Sequence, residues 1–487
     1  MNWGPAPARD DSLRFVGAAV LALVLLLSGA LVYRGLTTAD RSWFPSQWDP
    51  RILPIATEVS ALRGLEFKHP VQVRYLEPTD FEKQLGIADG VDAATRTEAK
   101  RTEAVFRALG WIGGNTDLLK ESQTSEASGT LAFYSPVTQM VYVRGTTLDV
   151  AHQVTIAHEL THVLQDQNFG LLKLQKAAEH SNTGDLMDYK GLVEGDAVRI
   201  QYEYLDQLPT DQRREYERED AAERARVGRE TSSVPHILGL LFGAPYEFGP
   251  TTVRVLVGSE GDTAINDALT GPTPSSGLYV RAGDVEAGVP VDPPLPPDDG
   301  VAVGQPDLFG PYETYLAMAT RLSPTVALEA ADSVDGGSAI TFEREGVVCY
   351  SVALDAATDT GKAFLSNAVR AWTAGRPGTS VDDGGATVGF TACDPGKSAP
   401  APPQIRLDRA DQLLGLRFGL TEGFAEGGND GDNARCVARE MVRQPRLVKL
   451  LLEIGDRQPT VQQRADMGPS VEIAQANCRD DPDAGLP

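Results

Sequence analysis

The apolar positions of this chain fall into runs of different period, and each run predicts a different element. Residues 15–33 (FVGAAVLALVLLLSGALVY) carry no charge. As a helix they extend about 28 Å, close to the ~30 Å hydrocarbon core of a bilayer. Arg9 and Arg14 precede the run and Arg34 follows it. The run predicts a single membrane-spanning anchor, with residues 1–14 cytoplasmic and the remainder outside the cell membrane. A signal peptide cleaved near Ser28–Ala30 is the alternative, and it would release the remainder as a secreted protein. Residues 34–55, with Trp43, Pro45, Trp48, Pro50 and Pro54, show no period and read as a stalk. Residues 71–76 (VQVRYL) alternate as a strand does, and 93–109 predict a helix. LAFY (131–134) and MVYVR (140–144), separated by SPVTQ, predict a hairpin. Two further helices are expected over 149–167, with Asp149 as N-cap, and 186–208. The charge-rich stretch 211–230 reads as a solvated helix face with no function.

Residues 289–300 (VPVDPPLPPDDG) are too proline-rich for a helix or a central strand, so they predict a linker. The plan is therefore a folded domain over 56–288 and, after the linker, a C-terminal α+β region over 301–487 that is mostly helical towards its end. The expected fold class is α+β throughout.

Composition changes this picture in two respects. A net charge of −24 opposes nucleic-acid binding through bulk electrostatics, so no nucleic-acid partner is expected. The 4 cysteines, Cys349, Cys393, Cys436 and Cys478, all follow the linker and lack any zinc-binding spacing. They predict two disulfides. A proline-rich break at 398–403 favours the sequential pairing, Cys349 with Cys393 and Cys436 with Cys478.

The string IAHELTHVLQDQ carries the chemistry. It contains His158, Glu159 and His162 as HExxH within a predicted helix. With 6 His in 487 residues, a chance match is expected only ~0.004 times. Positions four apart stack on one helix face, so both imidazoles can bind one zinc ion, while Glu159 lies about 100° around the helix. Ile156, Ala157, Leu160, Val163 and Leu164 surround the trio, and unpaired polar groups would be costly in such a buried setting. A catalytic zinc needs a third protein ligand and an open position. Glu194, in GLVEGDAV on the next long helix, is the candidate, with Asp196 and Asp188 next in line. Asp166, one turn beyond His162, is a candidate for orienting an imidazole. His152 and His180 read as surface residues, and His69 has no partner in view.

On these residues the chain resembles the gluzincin type of zinc metallopeptidase, in which HExxH is followed by a downstream helical Glu ligand. The resemblance extends to the hairpin before the motif. FGAPYEFG (242–249) and TAINDALTGPTPSSG (263–277) are similar to segments of bacterial proteins bearing such motifs, so the likeness covers about 54–283. It implies a zincin-like domain: a small sheet with an edge strand, the motif helix and a mainly helical lower lobe. It also implies one Zn2+ per chain on His158, His162 and Glu194, hydrolysis of a peptide or protein substrate, and Glu159 as general base. The oxyanion stabiliser would be a Tyr or His of the helical lobe, here Tyr246 or His236. Strand 140–144 could pair with an extended substrate. Two departures stand out. Val198 occupies the position where thermolysin-like members carry an acidic residue that orients an imidazole, which leaves Asp196 and Asp166 for that role. Asn168 and Phe169 stand where the metzincin pattern would have a further His. The expected activity is zinc-dependent hydrolysis of exported or envelope peptides. The alternative is a catalytically inactive, zinc-stabilised binding or scaffold module of the envelope.

Overall fold

The computed structural model describes residues 44–85, 92–402, 404–455, 457 and 459–479, and among them the fold is mixed α+β, mainly helical, with two separate sheets. Residues 15–33 lie outside the described residues. Among the described ones no helix is long and apolar enough to cross a membrane. The long helices, such as Val150–Phe169 and Gln404–Glu426, carry charged side chains along their length. The single-pass membrane placement is corrected accordingly and is not carried further.

The smaller sheet holds β1 (Gln72–Leu76), β2 (Ala132–Ser135) and β3 (Met140–Arg144) in the order β1-β3-β2, with β1 parallel and β2 antiparallel to β3. The strands of the expected hairpin form, but β3 is central. Its main chain is occupied on both sides, so it cannot receive a substrate strand. The two edges of the sheet are β1 and β2.

The motif helix, Val150–Phe169, begins where the Asp149 side chain accepts from the His152 amide and ends at Gly170, whose φ of 78° suits glycine. Its apolar positions Val154, Ile156, Leu160, Val163 and Leu164 pack on Val141 and Val143 of β3 and on Ile52, Ile55 and Val59. Ile52 and Ile55 show that the end of the expected stalk is core: the helix Leu53–Arg63 turns one face onto the motif helix.

The ligand helix, Leu186–Gln207, starts at a capping box between Asp185 and Asp188 and lies against both the motif helix and the helix Gly249–Glu260. The second contact is backbone on backbone. A Cβ on Gly195 would fall 2.5 Å from the Gly249 carbonyl, and one on Gly249 would fall 2.4 Å from the Gly191 oxygen.

The larger sheet holds β4 (Val301–Ala302), β5 (Asp307–Leu308), β6 (Val334–Arg344), β7 (Val347–Ala356), β8 (Thr379–Asp382) and β9 (Val388–Cys393). Its core order is β4-β6-β7-β9-β8, with β5 also on β6. Cys349 and Cys393 face each other across β7 and β9 and are joined, and Cys436 is joined to Cys478, so the pairing is sequential as expected. The stretch 289–300 does not divide the packing. One hydrophobic cluster includes Val105, Ile237 and Leu278 before it and Phe309, Trp372 and Phe390 after it. Arg107 donates two hydrogen bonds to Asp394, at 2.8 and 2.7 Å, across the same boundary. Proline keeps 289–300 out of helix, yet Val289 N still donates to Asp335 O at 3.1 Å, so the segment is an extended strap on a shared core.

The glycine contact yields a stability prediction with an internal control. Gly195→Ala should destabilise the fold by about 1–3 kcal/mol, the usual cost of overpacking. Gly258→Ala, on the adjoining helix where nothing lies within 4 Å of the added carbon, should be neutral or stabilising by up to about 1 kcal/mol. Urea unfolding midpoints of the two variants measure the difference, and equal effects would refute the close-packing argument.

Candidate metal centre

The helical spacing brings His158 and His162 to one side of the motif helix, and the ligand helix delivers Glu194 opposite them. Both imidazole Nε2 atoms lie 3.2 Å from Glu194 Oε2 and 3.1 Å from each other. All three side chains are buried, and together they could hold a metal ion.

Hydrogen bonds at the far side of each ring decide what the near side presents. His158 Nδ1 faces Gln201 Oε1 at 3.0 Å, and His162 Nδ1 faces Gln165 Oε1 at 2.9 Å. The Gln165 amide is oriented because its Nε2 donates to Val193 O and Asp196 Oδ2, each at 3.0 Å. An acceptor at Nδ1 places the hydrogen there, so a neutral imidazole turns a bare lone pair at Nε2 inward. Two lone pairs and a carboxylate oxygen about 3 Å apart repel one another unless a cation stands among them. This donor set fits a metal ion.

Asp196 thus supports His162 through Gln165 and not directly. Its carboxylate is wholly buried between Arg63 Nε at 2.7 Å and Arg199 at 3.1 Å. Burial alone would raise its pKa, but the two guanidiniums hold it below the ordinary range. Asp166 does not orient an imidazole; it accepts from the Tyr134 hydroxyl at 2.7 Å. Asp188 is used in the capping box, accepting from Asp185 N at 3.0 Å, and is not a ligand.

Glu159 points elsewhere than the ligand triad. Its Oε2 accepts from the Tyr134 amide of β2 at 2.7 Å, and the side chain lines the cleft that opens over His158. Burial raises its pKa, against the lowering influence of the two His. For Glu194 burial also acts to raise the pKa, but the His162 and His158 partners overcome it and hold the carboxyl well below the usual range. Tyr246 is buried beside this group and lines the same cleft. Burial, then the Glu194 and Glu159 charges, raise its pKa, so the hydroxyl keeps its proton.

The cleft has a volume of about 470 Å³. Its walls come from the sheet edge at Thr130–Ala132, the first half of the motif helix, the second half of the ligand helix and the helix Thr210–Glu230. That last helix is the charge-rich stretch expected to be only a solvated face; its inner side in fact roofs the cleft.

His236 does not reach the centre. Its Nδ1 pairs with Asp408 at 2.8 Å, because its helix presents it to Gln404–Glu426 instead. His152 is tied to Asp149 and Arg144 O, His180 is exposed, and His69 stacks on Phe44 beside Gln167. Gln165 and Gln201 are the functional residues that sequence reasoning missed. Gln165 sits three positions after His162, a spacing that places it on the same helix flank. Gln201 had no local signal, since it meets His158 only through packing of the two helices.

Compared with known protein families, curated proteins and solved structures, the chain shows no match. The reading of the centre therefore rests on its own residues.

Burial would lower the His162 pKa, but Glu194 outweighs it and lifts the value from 6.5 to about 9. A metal ion must therefore displace a proton. Apparent metal affinity should rise by up to about tenfold per pH unit through this window, as chelator competition would measure. The metal-free protein is stabilised by the raised pKa fully below pH 6.5 and loses that contribution as pH rises through about 9. The melting-temperature gap between loaded and stripped protein should widen over the same range. A pH-independent affinity would contradict the arrangement.

Proposed function

We propose that this chain is a zinc-dependent peptidase with a zincin-like catalytic half, as its resemblance to the gluzincins implies. The observation that carries the reading is the division of labour between two glutamates one helix apart. Glu194 converges with two imidazoles, while Glu159 stays off the triad and faces the cleft. A structural site would use four protein ligands and have no need for a free carboxylate beside it.

Zinc suits the donor set. An N/N/O triad is typical of catalytic zinc, and a tetrahedron drawn at ~2.0–2.1 Å from its centre has edges of about 3.3 Å. The observed separations are 3.1–3.2 Å. His158, His162 and Glu194 would hold one ion per chain, and that ion would supply Lewis acidity toward a carbonyl oxygen and toward water.

The remaining work falls to side chains. Glu159 takes the proton of the attacking water and returns it to the leaving amine, and its raised pKa brings it closer to neutrality, where such transfer is efficient. Tyr246, held protonated beside Glu194, is the donor for the developing oxyanion. An extended peptide fits along β2, whose outer edge is unpaired in the sheet and whose approach at Thr130–Ala132 lines the cleft.

The test uses zinc-reconstituted full chain and a peptide library. Glu159→Gln should retain zinc and fold while cleavage falls by about 10²- to 10⁴-fold. Glu194→Ala should weaken zinc binding itself. Zinc binding without Glu159-dependent cleavage would overturn the peptidase reading in favour of a metal-stabilised binding module.

A further inference from the structure

The ladder of the smaller sheet decides which way each amide of β2 points. Arg144 N donates to Leu131 O at 2.8 Å, and the register sets Phe133 opposite Tyr142 and Tyr134 opposite Val141. In an antiparallel ladder, pairs that exchange hydrogen bonds alternate with pairs that do not. Leu131 and Phe133 therefore turn their main chain to β3, and Tyr134 turns its amide outward. On that side it meets the motif helix and donates to Glu159 Oε2 at 2.7 Å.

The Tyr134 side chain returns to the same helix. Ala132 and Tyr134 are the buried positions of β2, and the Tyr134 ring packs in the cluster of the motif helix. Its hydroxyl donates to Asp166 Oδ2 at 2.7 Å. Burial, then the Asp166 charge, raise the phenol pKa, so the group stays a donor. Glu159 and Asp166 are seven residues apart, two turns along one helix face. One tyrosine thus spans both carboxylates, its amide on the first and its hydroxyl on the second. β2 has 4 residues and joins the sheet only through β3, so the ladder fixes it on one side alone. The bond to Asp166 fixes the other side.

We infer that Tyr134 is a positioning residue for Glu159: its hydroxyl, anchored on Asp166, clamps β2 to the motif helix and aims the amide that holds the Glu159 carboxylate in the cleft, off the ligand triad. The inference rests on the peptidase reading and adds to it the element that keeps the general base in place. With Oε2 held by the amide, Oε1 is the oxygen left to take the proton of water.

The experiment compares Tyr134→Phe, Asp166→Ala and the double variant in the full chain. Exchange of the residue-134 amide is followed by NMR in the zinc-free protein, and kcat, KM and zinc affinity are measured after reconstitution. In either single variant exchange at residue 134 should quicken by about 3- to 10-fold, the effect of one hydrogen bond, and kcat should fall by a similar factor, with KM and zinc affinity changed less than about twofold. The double variant should be no worse than either single one. Asp166→Asn, whose amide oxygen still accepts from the phenol, should recover most of the loss. A merely structural role would move zinc affinity and KM together with kcat. Tyr142→Phe, which removes a phenol that packs in a separate cluster with Phe81 and Leu85, should change none of these. Wild-type exchange and kcat in both Tyr134→Phe and Asp166→Ala would overturn the clamp while leaving the peptidase reading intact. A wild type that binds zinc but cleaves nothing would overturn the peptidase reading, and exchange at residue 134 would still decide the clamp.

Discussion

A carboxylate and two imidazoles are buried together here, and the surrounding structure depends on how that burial is compensated. Glu194 is 6% exposed and His162 9%, with their reactive atoms about 3 Å apart. Moving such groups out of water costs several kcal/mol each unless they are paired. A proton on His162 compensates the group in part, as its raised pKa records. A metal ion does so more completely, because it satisfies all three donors at once.

Holding that group in register requires two helices to approach with little slack. The close approach of Gly195 to Gly249 sets the ligand helix on one side. On the other, Arg63 grips Asp196, and Asp196 orients Gln165 against His162. Arg63 comes from a helix of which only the first residues, Leu53–Ile55, belong to the expected stalk. A residue near the start of the described chain thus fixes an imidazole through three consecutive polar contacts, each shielded from water and so strengthened by its low-dielectric setting.

The region after residue 300 belongs to the same physical argument. The helix that carries Tyr246 ends beside the ligand helix, and its opposite face, at Ile237, Leu240 and Ala244, is buried in the cluster shared with the larger sheet. The two disulfides lie wholly within this C-terminal part. Its role at the centre is to hold the lobe that lines the cleft.

Local information determined a good deal about this protein. Four-residue spacing put His158 and His162 on one helix face, Asp149 and Gly170 marked the ends of that helix, and an apolar surround marked the trio as buried. Period-two runs located β2 and β3, and the proline-rich break favoured the disulfide pairing that forms. Each of these signals lies within a few residues of what it predicts, where backbone geometry alone decides the outcome. The rest was decided by tertiary structure, since it depends on which surfaces meet. Parallel pairing of β1 made β3 central and left β2 as the edge that borders the cleft. Docking of the ligand helix brought Gln201 to His158 and gave Asp196 to Arg63, while Asp166 went to Tyr134. The charge-rich helix became a roof because Tyr216 packs on the cluster of the motif helix, and no pattern of charge along the chain encodes that encounter.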